Sequence, residues 1–245
     1  MSEEFYIAGK NAVMEALKAD ENIDKLYVAN GIGGHFIEEI LALARDKGIP
    51  VQRVNKKKLD DICPGKHQGI VAKAPPYKYK SVEDILKEAR DKGEEPFVIV
   101  LDSIQDPQNL GSVLRTADAC GVHGVIIPKN RAVGITPAVV KASAGAIEYV
   151  PVAKVTNIAR TLNELKQAGL WIIGADMNGP VDYCDADLKG PIGLVVGSEG
   201  MGMRRLVKES CDVLVKIPMV GSINSLNASV AAAILMYEVF RQRKH

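Results

Sequence analysis

LVVGSEGMGMRRL (Leu194–Leu206) and, shortly after it, VLVKIPMVGSINSLNASVAAAILMYEVFRQR (Val213–Arg243) repeat one construction. Each starts with an apolar run, Ile192–Val196 or Val213–Ile217, of the kind found where both faces of a parallel strand are covered. Each run enters a loop of Gly, Ser, Asn and Pro, and each loop precedes a helical pattern. Such loops display backbone N–H and C=O groups at the carboxyl ends of strands, where open α/β sheets bind ligands. DSIQDPQNLGSVLRTADACG (Asp102–Gly121) is built the same way. The three loops read as one site.

Working outward, strand, loop and helix patterns alternate from Glu95. Strands are expected at Phe97–Leu101, Gly124–Ile127, Val150–Val152, Leu170–Gly174, Ile192–Val196 and Val213–Ile217. Helices are expected at Asn109–Cys120, Pro137–Ser143, Asn157–Ala168, Arg204–Glu209 and Asn227–Arg243. That alternation predicts an α/β fold with a mostly parallel sheet over residues 95–245. Residues 1–75 form a separate small α/β pattern: helices at Gly9–Lys18, His35–Lys47 and Lys57–Cys63, strands at Asp24–Val28, Val51–Val54 and His67–Ala74. Pro75-Pro76 interrupts it, and residues 76–94 read as a linker holding a helix capped by Ser81.

Composition narrows the class. With 31 Lys and Arg against 30 Asp and Glu in 245 residues, net charge does not announce a nucleic-acid partner. Local basic clusters remain at Lys56-Lys57-Lys58, Lys78 and Lys80, Arg204-Arg205, and Arg241 to Lys244. No apolar run reaches the roughly 18 residues of a membrane span, and MSEEFYIAGKN has no secretory pattern, so a cytoplasmic location is expected. Cys63, Cys120, Cys184 and Cys211 are dispersed and read as free, buried thiols. Cys63 and His67 without further ligands make no metal site, and none is expected.

The first loop, Asp102–Asn109, lacks glycine, which removes the dinucleotide fingerprint; Walker, HExxH and GxSxG patterns are missing too. What remains are polar residues at loop-to-helix junctions. Asn109 starts a helix, and Arg115 sits among Val113, Leu114, Ala117 and Ala119, which predicts a partly buried guanidinium seeking a carboxylate or a phosphate. Glu199 stands on a glycine loop as a pocket carboxylate or a helix cap. Ser225 and Asn227 precede a helix as N-caps or as site groups. The last helix, with Val230, Ala233, Ile234, Tyr237 and Phe240, is apolar on more than one side and reads as core or as a subunit interface.

NxGxxxRTA (Asn109–Ala117), Gly197-Ser-Glu199-Gly200-Met-Gly202 and SLNxSxA (Ser225–Ala231), in this order, resemble the three motifs of the SpoU branch of the SPOUT RNA methyltransferases. GKNAVMEAL, HQGIVA, VTNIARTL and the ending VFRQR extend the resemblance over the whole chain, nearest to the members acting on large-subunit ribosomal RNA. The resemblance implies a trefoil-knotted methyltransferase domain behind a small RNA-binding domain, and a homodimer. It implies S-adenosyl-L-methionine as methyl donor, held around Gly197, Ile217 and Leu226. The expected reaction is 2′-O-methylation of a guanosine ribose in 23S ribosomal RNA. A transfer-RNA ribose methyltransferase, a ribosome-protecting methylase and a non-catalytic assembly factor are the alternatives.

By the same resemblance Arg115 is the base, Asn109 and Asn227 hold the ribose or support Arg115, Ser225 orders the knot loop, and Glu199 shapes the transfer pocket. A free guanidinium keeps its proton to above about pH 12, and a neighbouring phosphate favours the charged form further. Arg115 is therefore expected to anchor a phosphate and polarise the hydroxyl rather than act as a free base.

Overall fold

The computed structural model describes residues 5–18, 23–221 and 225–244. The chain divides into two compact units, Met1–Lys78 and Tyr79–His245.

The first unit runs β1 (Phe5–Ala8), α1 (Lys10–Lys18), β2 (Lys25–Ala29), α2 (His35–Asp46), β3 (Val51–Val54), α3 (Lys56–Ile62) and β4 (Ile70–Ala74). Its four-stranded sheet has the order β1-β4-β2-β3, with β2 and β3 parallel and β4 antiparallel to both neighbours. Val13, Met14 and Leu17 of α1 and Ile37, Ile40 and Ala44 of α2 bury their stripes with Leu26, Val28, Ile70 and Ala72 of the sheet. Leu59 of α3 packs with Val54 and Val71 in a smaller cluster. Strand β1 lay outside the sequence expectation. The last strand starts at Ile70 rather than His67, because residues 67–69 form a turn. Gln68 and Gly69 have φ of 50° and 80°, and the Gly69 N–H donates to His67 Nδ1 at 3.0 Å. With Nδ1 accepting, His67 Nε2 donates to Asp60 at 2.9 Å.

The second unit opens with α4 (Val82–Asp91), β5 (Phe97–Asp102), α5 (Pro107–Ala119), β6 (Gly124–Pro128), α6 (Pro137–Ser143), a 3-10 turn (Ala146–Glu148) and β7 (Val152–Val155). It continues through α7 (Ile158–Gln167), β8 (Trp171–Ala175), β9 (Val181–Asp182), β10 (Ile192–Gly197), α8 (Arg205–Glu209), β11 (Val213–Lys216) and α9 (Ala228–Lys244). The seven strands lie in the order β7-β6-β5-β10-β8-β11-β9, and every pairing is parallel. The central strands β5 and β10 are buried along their whole length, which is why they read as unbroken apolar runs. Helix α4, inside the expected linker, starts with a Ser81–Asp84 capping box and buries Ile85, Leu86 and Ala89, so 81–91 packs as part of this unit. The expected strand at Val150–Val152 moves to Val152–Val155, because the N–H groups of Tyr149 and Val150 close the preceding turn onto Ala146 O. The two-residue β9 was too short to leave a pattern.

Helix α9 contacts α5 and β10 although the chain leaves the sheet at β11, two positions beyond β10. Its buried face is Ala228, Ala232, Leu235, Met236 and Val239, whereas Val230 and Tyr237 are about half exposed, at 46% and 52%. The RQR ending pins it. Gln242 donates to Ala186 O, and Arg243 donates to the carbonyls of Glu95, Pro96 and Gly190 while lying 5.1 Å from the Phe97 ring centroid. No helix among the described residues is long and apolar enough to cross a membrane.

Candidate active site

Asp102 ends β5, and Asp106 caps α5 by accepting the N–H groups of Gln108 and Asn109, with Pro107 at the first helical position. Asn109 is therefore inside the first turn rather than at the helix start, and its side chain faces the end of β10. Gly111 follows because α6 crosses there: an added Cβ would lie 2.3 Å from Ala142 Cβ.

The GSEGMG segment is a tight hairpin. Ser198 and Gly202 exchange backbone hydrogen bonds of 3.1 and 2.9 Å, with Glu199 on the turn. Gly197 has to be glycine, since a Cβ would stand 2.1 Å from the carbonyl carbon of Gly202. The hairpin is held at its far side by Arg204. Its backbone N–H and Nε each donate at 2.8 Å to Asp102, whose carboxylate is completely buried. This pair, between the first and second loops, escaped the sequence reading. Its signal was a carboxylate in the last position of an apolar strand.

The third loop ends in Asn227, whose Oδ1 accepts the N–H groups of Ser229 and Val230 and so caps α9. Its amide also reaches the other two loops. Asn109 Nδ2 donates to Glu199 Oε1 at 2.9 Å, Asn227 Nδ2 donates to Asn109 Oδ1 at 2.9 Å, and Asn227 Nδ2 also donates to Glu199 Oε1. The Ala228 N–H adds a 3.3 Å bond to the same oxygen. A carboxylate accepts and an amide does both, so the triangle orients both amides without ambiguity. Glu199 and Asn227 are at once helix-capping groups and members of this network.

Beside it lies a cavity of about 370 Å³. Gly197, Ile217 and Leu226 all line it, with Glu199 and Ser225. Sequence reasoning missed part of the wall, the stretch Asp176–Asn178 and Lys208. Asp176 and Lys208 are ion-paired there at 2.7 Å. The stretch follows the apolar run of β8, so its position at a carboxyl strand end was the available signal.

Arg115 departs from expectation. It is exposed, not partly buried, and has no hydrogen-bond or ion-pair partner among the described residues. Six residues after Asn109, it lies about 9 Å further along α5 and about 120° around it, so one chain does not bring it to the triangle. No group of three metal-ligating side chains occurs among the described residues. The four thiols are free, but of the expected buried set only Cys120 is buried; Cys63 and Cys211 are half-buried and Cys184 is exposed. Burial pushes Cys120 up to about 11 and Cys211 up to about 12, which leaves neither as a thiolate nucleophile at neutral pH.

A parallel sheet whose carboxyl-end loops converge on one cavity defines an α/β protein with its ligand site at the sheet edge. Residues 96–237 match the SpoU rRNA Methylase family, and residues 6–80 match the RNA 2′-O ribose methyltransferase substrate binding family. A Bacillus subtilis (strain 168) protein assigned to the TrmH family of tRNA/rRNA methyltransferases, YacO, is 52% identical over 97% of this chain and 96% of its own. Among solved structures, the SpoU methyltransferase AviRb from Streptomyces viridochromogenes, in complex with the cofactor AdoMet, superposes with a TM-score of 0.67. It is 27% identical, over 98% of this chain and 91% of that one. The A. aeolicus TrmH/SpoU tRNA modifying enzyme, 30% identical with a TM-score of 0.57, covers 66% of this chain and 84% of its own. The chain belongs to the SpoU (TrmH) family of RNA methyltransferases.

Proposed function

We propose that this methyltransferase moves the methyl group of S-adenosylmethionine to a ribose 2′-hydroxyl, and that its substrate is a guanosine of large-subunit (23S) ribosomal RNA. The observation that carries the reading is the Asn109–Glu199–Asn227 network beside the cavity lined by Gly197, Ile217 and Leu226. About 370 Å³ lies within the roughly 300–1,000 Å³ of small-molecule sites. The walls also offer what the donor needs: apolar side chains for the adenine, close backbone at Gly197, and the Asp176–Lys208 pair for polar groups. When bound, the cofactor supplies an electrophilic methyl on a sulfonium.

The protein's own part is orientation and charge. Glu199 fixes the Asn109 and Asn227 amides, which hold the ribose; Ser225 orders the loop over the cavity. Arg115 anchors a phosphate next to the target ribose and polarises the hydroxyl, whose proton leaves late or through water. Because Arg115 lies away from the triangle of its own chain, the reading includes a homodimer in which a second copy completes the site. The half-exposed Val230 and Tyr237 on α9 supply an apolar face for that contact. The return of the chain from β11 to α5 and β10 fits the threading of a trefoil knot.

The ribosomal choice over transfer RNA is supported by the first unit, since residues 6–80 match a substrate-binding family and the tRNA modifying enzyme covers only 66% of this chain. The test is transfer of a tritiated methyl group to large-subunit RNA, small-subunit RNA and bulk transfer RNA offered separately, followed by mapping of the modified ribose. Label in one large-subunit guanosine supports the proposal. Label confined to transfer RNA overturns the substrate. Absence of both label and calorimetric S-adenosylmethionine binding leaves a non-catalytic assembly factor.

A further inference from the structure

In the first unit, β2 and β3 run parallel and β4 runs against β1 and β2. The segments that follow β1, β2 and β3 and the one that precedes β4 therefore meet at one end of the sheet. Backbone bonds confirm the meeting: Ala29 N–H to Gly69 O, Asn30 N–H to Val54 O, and Lys10 N–H to the Gln68 side chain. This end collects Lys10 after β1, Lys56, Lys57 and Lys58 after β3, and Lys66 before β4. Four strands at about 4.8 Å spacing put these positions within about 15–20 Å of one another.

None of the five ammonium groups has a partner among the described residues, and all but the half-buried Lys10 are exposed. Of the carboxylates nearby, Asp60 is engaged by His67, which leaves Asp61 on α3 and Glu38 in the first turn of α2 against the five lysines. The opposite end of the same sheet is mixed in sign, with Asp24, Lys25, Arg45, Asp46 and Lys47. The asymmetry is thus created by the fold in a chain whose net charge is only +1.

We infer that this end of the sheet is a grip for the sugar–phosphate backbone of structured RNA, in which the five lysines neutralise phosphates and the exposed Gln68, whose Oε1 accepts the Lys10 N–H, offers its amide N–H groups as a polar contact. The inference rests on RNA being the substrate and adds where the first unit holds it. Phosphate neutralisation releases counterions, so binding weakens with salt in proportion to the contacts made.

The test uses the full chain and a folded large-subunit RNA transcript, with binding measured by fluorescence anisotropy from about 50 to 200 mM salt. The triple variant Lys56→Ala/Lys57→Ala/Lys58→Ala is compared with Lys18→Ala/Arg45→Ala/Lys47→Ala, which removes the same charge at the opposite end. The first is expected to weaken binding about tenfold or more and to flatten the log–log salt slope by about two to three. The second should leave both within about twofold of the parent. In methyl transfer the first set should raise KM for the RNA and leave kcat and calorimetric S-adenosylmethionine binding unchanged, and a circular dichroism spectrum and thermal unfolding like the parent's show that the first unit of the variant is folded. Equal losses from both sets, no loss from either, or equal affinity for duplex DNA of the same length overturns the grip. RNA binding that follows this pattern with no methyl transfer to any RNA keeps the grip and overturns the proposed reaction.

Discussion

Asn109 and Arg115 share helix α5 and one motif, yet they live in different surroundings. Asn109 is nearly buried and tied into the second and third loops, while Arg115 is exposed and unpaired among the described residues. Spacing explains the split: six residues on a helix of 3.6 per turn end on a different face. The Asn109 end is a preorganised acceptor–donor network whose groups contribute to folding. The Arg115 end is a charge kept in solvent, which costs the fold nothing and is free to meet the phosphate that the proposed function assigns to it.

The sharpest way to break this contrast is Arg115→Ala. Methyl transfer should fall about 10²- to 10³-fold, the scale of losing one positioned charge-stabilising donor. Thermal unfolding and calorimetric cofactor binding should stay as in the parent. A fall in stability comparable to the fall in activity would show that Arg115 is a structural residue. Arg115→Lys keeps the charge but loses the two-pronged geometry, so near-normal turnover would defeat the anchoring account.

At the other end, Arg204→Ala should be the most destabilising single change around the site. It takes the guanidinium from the fully buried Asp102 carboxylate, which keeps only the backbone N–H of position 204 and the Ser103 hydroxyl, a loss of about 3 kcal/mol in urea unfolding. Asp102→Asn, which removes the buried charge instead, should cost less, about 1.5–3 kcal/mol. The reverse order would mean that the pair does not set the stability of the hairpin.

Glu199→Ala should lower both quantities that Arg115→Ala separates. Three donors lose one acceptor in a partly exposed setting, worth about 1 kcal/mol of stability, and transfer should drop at the same time. A variant that keeps full activity would remove Glu199 from the site.

The smallest effect concerns the clamp at the end of α9. Hydrogen bonding from Arg241, aided by Gln242, holds the Glu238 carboxyl below the usual carboxylate range against the opposing effect of burial. A carboxyl depressed in the folded chain adds stability that is fully present above its unfolded value. That stability is lost as pH falls through the lower folded value. The stability gap between the parent and Glu238→Gln should therefore shrink as pH falls below about 4. A gap that grows on acidification would contradict the depressed carboxyl.

Much of this was legible in the chain. Helix α6 falls at Pro137–Ser143 as its pattern predicts, β5 and β10 within a residue of theirs, and Ser81 caps the helix that follows it. Local rules sufficed there, because capping and apolar periodicity act within a few residues. The rules failed where a distant partner decided. Strand β7 slipped because a 3-10 turn consumed Val150, and Arg115 was placed on a buried face because its apolar neighbours hid the helix angle.

By itself the sequence determined the α/β class, the three loops and the residues in them, since the order of apolar runs and polar junctions is one-dimensional information. Only the tertiary structure decided that Glu199 accepts from both asparagines, that Asp102 is buried against Arg204, and that Asp176 and Lys208 complete the cavity wall. These pairs join residues up to 102 positions apart. No local preference of either partner specifies such a contact. It exists because parallel strands laid side by side bring their carboxyl ends, and the loops that leave them, to the same edge.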